Sequence, residues 1–451
     1  MIPFSHILIS EFGAICRNRL HHRRLASSIL LFLFTAIAST ATFAGEGKWS
    51  QWRGPNRDGH SDAKKLLKSW PNGGPDLNWT YTDAGVGYSS VAVVDGCLYT
   101  LGADKTDCFA ICLNLSDSSL KWKTAFSRTG NAEDYNVDWG GGPRSTPTVS
   151  GTQVFVLSDI GILASLDTNT GEIQWKTDLV KDHGGKIPNW GYSDSPLVDG
   201  DRVVITPGQE KFLLAVDRTN GKEVWSSHDF SAEAQYVSIL KGQTGNTEFY
   251  LSAGKKGLVA FDHQTGAQLF QNTASGNTVA VIPTPILFGD QIYHTSGYGA
   301  GNVLIELEDR GRGNVEADMV YHLTRKTMEN HHGGVVLVDK TIFGFSKTNG
   351  GVWMAQDLKT GQILWEEKIR PNKSGSICYA DGRLYCYSDK DGTVFLIQPS
   401  RSGWQQKGML RIPRETNIPR GKGAIWSHPV VAEQTLIIRD QDLIHTFHIG
   451  E

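Results

Sequence analysis

The chain has 451 residues, with 44 Lys and Arg against 47 Asp and Glu and a formal charge of −3. That balance gives no basic surface for nucleic acid or for an acidic membrane, so neither is expected as a partner. Fifty glycines and 13 tryptophans, without low-complexity tracts, point to a folded, turn-rich chain.

The first stretch reads as a targeting segment. Arg17, Arg19, Arg23 and Arg24 precede an apolar run over 25–38, and Ser39-Thr-Ala41 or Thr42-Phe-Ala44 offers small residues for cleavage. The run is shorter than the roughly twenty residues of a bilayer span. A cleaved signal peptide over 1–44 is therefore expected, with a retained anchor as the rival. The mature chain is expected in the periplasm or otherwise exported, without a stable membrane span. Residues 45–76 read as an N-terminal extension, and 77–451 as one repeat domain. Beyond Cys16 in the leader, Cys97, Cys108, Cys112, Cys378 and Cys386 are too scattered for a zinc ribbon or a c-type haem. Cys97 and Cys112 suit either a cross-strand disulfide or two small buried thiols.

Residues 77–82 form a lone strand pattern with no unit of its own. From there a motif recurs: Asp167, Thr170, Gly171 and Trp175; Asp217, Asn220, Gly221 and Trp225; Asp262, Thr265, Gly266 and Phe270; Asp357, Thr360, Gly361 and Trp365. A weak copy runs from Asn114 to Trp122, and an eroded one occupies 283–323. The period is about fifty residues, which signals a repeat architecture. Each unit reads as four short strands separated by Gly, Asp and Asn turns. Two further units open at Gly375 and Ser427, and the last, ending with 443–448, lacks an outer strand. Supplying it from 77–82 predicts an all-β, eight-bladed propeller of four-stranded antiparallel blades, closed between the two ends of the chain. One large aromatic per unit is expected to pack between blades.

These repeats resemble the tryptophan-docking blades of the pyrroloquinoline quinone (PQQ) dehydrogenase superfamily and of the related BamB-like propellers. The leader, with Trp49, Trp52, Arg53, Gly54, Pro55, Asn56, Arg57, Asp58 and Gly59, is similar to the start of exported PQQ-like repeat proteins. The resemblance covers 49–451 and implies the fold. For the enzymes it implies PQQ over the propeller axis, held by a vicinal Cys-Cys disulfide and calcium, with an Asp as base. This chain has no adjacent Cys pair. None of those site residues carries over, and neither PQQ nor calcium is expected to bind.

Other local signals are turns. Asp389-Lys-Asp-Gly392 begins like a calcium loop but lacks the later Glu. Gly297-Tyr-Gly-Ala-Gly301 opens no helix and so makes no dinucleotide site. His331 and His332, read as neighbours in a strand, point to opposite faces and do not form a metal pair. One constellation stands out by position. Segments just before the innermost strands must surround the axis on one face: Trp139 and Arg144; Trp190, Tyr192 and Asp194; Gln235 and Tyr236; Asn330, His331 and His332; Trp426 and His428. They form either a recognition surface or a plug of the channel. The two readable histidines, His332 and His428, predict an affinity that changes between about pH 5 and 8. The expected function is an exported, non-catalytic binding or scaffold propeller that takes a protein partner or a small ligand at this face. The alternatives are a quinoprotein-type oxidoreductase acting on alcohols or sugars, and a hydrolase or lyase acting on carbohydrate.

Overall fold

The computed structural model describes residues 48–311, 313–369 and 374–451. The expected signal peptide lies outside the described residues. Among the described residues eight antiparallel sheets follow one another around a ring. They run from Ala92–Val94 to Leu120–Arg128 (blade 1), Thr148–Ser150 to Ile173–Asp178 (blade 2), Leu197–Asp199 to Glu223–Ser226 (blade 3) and Leu240–Thr244 to Gln268–Asn272 (blade 4). Next come Ile286–Phe288 to Val315–Leu323 (blade 5), Val335–Val338 to Ile363–Glu367 (blade 6) and Gly375–Ala380 to Gln406–Arg411 (blade 7). Blade 8 takes Val430–Ala432, Thr435–Asp440 and Leu443–His448 from the C-terminus and Leu77–Tyr81 as its outermost strand. The fold is the predicted eight-bladed propeller.

Position in the blade explains strand composition. Middle strands are packed on both faces and read as unbroken apolar runs, as in Gln153–Leu157, where every residue after the first is buried. Outer strands alternate: in Ile173–Asp178 only Trp175 is buried.

The repeat motif has a joint physical cause. The Asp167 carboxylate accepts hydrogen bonds from the backbone N–H of Asn169 and Thr170, at 2.8 and 2.9 Å, and so fixes the turn. Gly171 follows at φ 73°, and a Cβ there would sit 2.6 Å from the Trp122 ring of the preceding blade. Gly221 meets Trp175 in the same way, at 2.5 Å. The Trp indole N–H then donates to the next blade's turn: Trp79 to Leu115 O, Trp122 to Thr168 O, Trp175 to Arg218 O and Trp365 to Ser400 O, at 2.8–2.9 Å. In the eroded blade 5 the Tyr321 hydroxyl replaces it, donating to Leu358 O at 2.8 Å. Trp175 is buried, whereas Trp225 and Trp365 are half-buried.

Closure joins the two ends of the chain. Leu77–Tyr81 pairs antiparallel with the C-terminal strand, from Leu77 opposite Phe447 to Tyr81 opposite Ile444. Buried Arg439 of blade 8 reaches into blade 1, donating to Ser89 O at 3.0 Å and Leu101 O at 2.5 Å. Deleting 77–82 is expected to expose the Leu443–His448 edge and turn a monodisperse protein into an aggregating one, read by light scattering.

The segment read as an extension is held by every blade. Trp49 pairs with Val93 of blade 1, and Ser50 O accepts from Val149 N of blade 2. Arg57 donates to Ser195 O and Pro196 O, which lead into blade 3, and to Ile239 O, which leads into blade 4, at 2.5–3.0 Å. The Trp52 indole donates to Thr284 Oγ1 before blade 5, and Arg53 donates to Val335 O of blade 6. His60–Ser61 adds a parallel strand to the inner edge of blade 7, and Leu66 bridges Gly450 after blade 8. Both guanidinium groups are buried, which lowers each pKa to about 10 and leaves the charge in place at neutral pH. Carbonyl oxygens stand in for lost water.

The thiols are not bridged. Cys97 lies opposite Asn114 and Cys112 opposite Tyr99, and all five cysteines of the described residues are free and buried.

Candidate functional site

A cavity of about 400 Å³ lies on the axis, lined by loops that enter the innermost strands. Eight of the twelve residues expected at this face line it: Trp139, Arg144, Trp190, Tyr236, His331, His332, Trp426 and His428. Tyr192, Asp194, Gln235 and Asn330 do not; Gln235 donates to Ala234 O, and fully buried Asn330 donates to Gly334 O and Phe345 O. Tyr192 is fully buried in the core between blades, its hydroxyl donating to Pro207 O at 2.9 Å. Asp194 lies deeper, accepting from Thr206 Oγ1 at 2.8 Å, and burial raises its pKa to about 7 against the pull of Arg57.

The wall is mostly aromatic. Trp139 stacks near Trp426, with centroids 6.1 Å apart and rings 21° from parallel, and Tyr88 lies 5.5 Å from Trp426. Trp190 and Tyr236 are 5.8 Å apart, and Trp52 of the leader sits 4.6 Å from His428. Arg144 stacks 4.8 Å over Tyr88 and is fixed by donating Nε to Trp190 O and Nη2 to Gly140 O. Lys347 stands 5.5 Å over the Tyr298 ring.

His331 and His332 both face the cavity, with ring centroids 5.4 Å apart. Alternation along a strand does not separate them, because they sit in a loop ahead of Val335–Val338. Among the described residues no group of three or more His, Cys, Asp or Glu is arranged to hold a metal. His428 Nε2 lies 3.2 Å from His332 O. A carbonyl only accepts, so Nε2 carries the proton and Nδ1 is a bare acceptor, which has no hydrogen-bond partner. Nor do His332 Nε2, Trp190 Nε1 and Ser193 Oγ.

Burial holds both histidines neutral. It lowers His332 to about 3, with Lys347 adding to the shift, and takes His428 well below its ordinary value. This corrects the expected sensitivity between pH 5 and 8. Both folded values lie below the unfolded value of about 6.5. Their contribution to stability is thus complete above about 6.5 and is lost as pH falls through the acid range. Ligand affinity at this cavity is expected to stay level between about pH 5 and 8. A tenfold change inside that window, by calorimetric titration, would contradict it.

Sequence reasoning missed Trp52, Tyr88, Tyr298, Lys347 and Asp389, which also line the cavity. Tyr88 precedes the first strand of blade 1, and the rule that found the others extends to it. Tyr298, Lys347 and Asp389 follow the second strands of blades 5, 6 and 7. In an antiparallel meander the loop after the second strand lies at the same end as the entry to the first, so that signal was present too. Asp389 is in the expected turn, but it is buried and accepts from Ser374 N at 2.7 Å.

A groove of about 540 Å³ adjoins the cavity and shares Trp190, Tyr236 and Val279 with it. Its walls carry Lys186 and Lys255, both paired with Glu233.

Residues 78–367 match the family model described as outer membrane protein assembly factor BamB. No curated protein matches the chain. Among solved structures, BamB from Moraxella catarrhalis superposes with a TM-score of 0.56 at 15% identity, over 83% of this chain and 100% of that one. Quinohemoprotein alcohol dehydrogenase from Comamonas testosteroni superposes with a TM-score of 0.61 at 11% identity, over 90% of this chain and 81% of that one. At such identities the likeness is one of fold. The family match, the Trp-on-Gly docking and the eight-blade ring together make this chain a member of the BamB-like family of PQQ-repeat propellers.

Proposed function

We propose that the protein is an exported, non-catalytic binding propeller that receives a small ligand, or a group of a partner protein, in the axial cavity. The observation that carries this reading is the set of buried, unpartnered polar atoms on an otherwise aromatic wall: Trp190 Nε1, Ser193 Oγ, His332 Nε2 and His428 Nδ1. Buried polar atoms are ordinarily paired, and those left unpaired around a cavity are free to meet a ligand. The channel already has a plug, the leader. Export rests on the targeting pattern and on the family.

The donor set supports the non-catalytic reading over the quinoprotein one. Among the described lining side chains Asp389 is the one carboxylate, and none is an amide. Calcium takes six to eight oxygen ligands, so this wall does not fit PQQ held by calcium. Titration with PQQ and calcium is expected to give no submicromolar binding and no dye-linked alcohol oxidation. Either result would favour the oxidoreductase. Replacing Arg144 and Trp190 together with Ala is expected to abolish capture of the partner while thermal unfolding stays cooperative. Capture of every parental partner by a folded double variant would move the site elsewhere.

A further inference from the structure

Resting on the reading of the cavity as a binding site, we propose that it takes an acidic sugar: a hydroxyl-bearing ring with a carboxylate, whose chain continues along the adjoining groove.

The wall selects against the other ligand classes of its size. Its volume of about 400 Å³ lies in the small-ligand range of roughly 300–1,000 Å³. The rings of Trp52, Tyr88, Trp139, Trp426 and Tyr298 offer flat apolar surface, which suits an aromatic, a cation or the C–H face of a sugar. Formal charge removes the cation. Among the described lining residues Arg144 and Lys347 stand against Asp389 alone, and two of the three wall histidines, His332 and His428, are neutral. A quaternary ammonium would meet net positive charge, and an anion is drawn in.

The unpartnered polar atoms remove the purely aromatic ligand. His428 Nδ1 is a bare acceptor, the Trp190 indole N–H is a donor, and Ser193 Oγ is both. A hydrocarbon ring would leave each of them desolvated and unpaired. A hydroxyl donates and accepts, so several hydroxyls on one ring answer this mixture. The acidic substituent then faces Arg144, whose Nη1 makes no hydrogen bond among the described residues while Nε and Nη2 anchor the group. Arginine offers a planar fork to a carboxylate. Continuity sets the direction of a longer chain. The groove shares Trp190 and Tyr236 with the cavity, and it carries Lys186 and Lys255 beside Glu233 and Asp134, the latter already paired with Arg128.

Calorimetric titration of the full exported chain tests this, with galacturonate, trigalacturonate, galactose, benzoate and tetramethylammonium as probes. Galacturonate is expected to bind at least tenfold more tightly than galactose, and trigalacturonate more tightly than galacturonate. Arg144→Gln and Lys347→Met should each bring galacturonate down to the level of galactose. Lys255→Ala should weaken the trimer and leave the monomer unchanged. Lys347 and Lys255 are surface residues, so their variants test the idea even if Arg144→Gln fails to fold. Benzoate or tetramethylammonium binding as tightly as galacturonate overturns the proposal. So does the absence of sugar binding; if the parent still captures a protein that the Arg144→Ala, Trp190→Ala variant loses, the binding reading survives alone. Galacturonate bound and consumed would uphold the sugar and overturn the non-catalytic reading.

Discussion

Arg57→Met is expected to destabilise the ring more than any other single change in the leader. The guanidinium donates Nε to Gln51 Oε1 at 2.8 Å, Nη1 to Ser195 O and Ile239 O, and Nη2 to Pro196 O. Those carbonyls precede the innermost strands of blades 3 and 4, where no neighbouring strand can pair them. Methionine fills part of the volume but has no N–H. Two buried acceptors, Ser195 O and Ile239 O, then lose their donor, while Pro196 O keeps the Thr148 hydroxyl at 2.6 Å; at about 1–3 kcal/mol each the total is about 2–6 kcal/mol. Urea unfolding followed by tryptophan fluorescence measures it. Arg53 gives the comparison: it is equally buried, yet its Nε and Nη1 have no hydrogen-bond partner, so Arg53→Met should cost less. Equal losses for the two, or none for Arg57, would mean that the leader only covers the channel and does not tie the blades together.

The difference between leader and blades explains what was legible in the sequence. Blades repeat, so a turn rule seen at Asp167 and Gly171 could be checked at Asp217 and Gly221, and spacing alone gave their number. Closure was legible because an unpaired strand at 77–82 and a missing one after 443–448 were complementary. The leader is unique and nearly free of regular structure, so neither period nor propensity reveals that Arg53 and Arg57 lie inside. An Arg in a polar, Gly-rich stretch is ordinarily exposed; here carbonyls before the inner strands of blades 3 and 4 converge on the axis and accept from Arg57. The site follows the same logic. Eight residues of the cavity were found from their place before inner strands, a topological rule. Tyr192 and Asp194 obey that rule too, but they lie in a loop where strand alternation does not set direction, and the chain turns these two into the core. The protonation of His332 and His428 was not legible, because burial is a property of the assembled loops.

Trp175→Ala is expected to cost on the order of 3–5 kcal/mol, the usual range for emptying a large buried aromatic site. The ring packs 6.0 Å from Phe155, covers Gly221 of the next blade and donates its indole N–H to Arg218 O at 2.8 Å. Alanine removes both the contact and the donor, so two blades lose their shared edge. Phenylalanine separates the two effects. Trp175→Phe keeps an aromatic ring over Gly221 but removes one of the two donors to the Arg218 carbonyl, leaving Gln153 Nε2 at 2.9 Å, at about 0.5–1.5 kcal/mol. Trp225 is the control within the same molecule. It stacks on Tyr250, with centroids 5.9 Å apart, and lies over Gly266, but its indole nitrogen has no hydrogen-bond partner. Trp225→Phe should therefore cost clearly less than Trp175→Phe, while Trp225→Ala still opens a gap between blades 3 and 4. The chain contains the precedent: the next copy of the motif has Phe270 in this place. Thermal and urea unfolding of the four variants measures the differences. If Trp175→Phe and Trp225→Phe prove equal, the indole hydrogen bond contributes nothing, and the docking of blade on blade is packing alone.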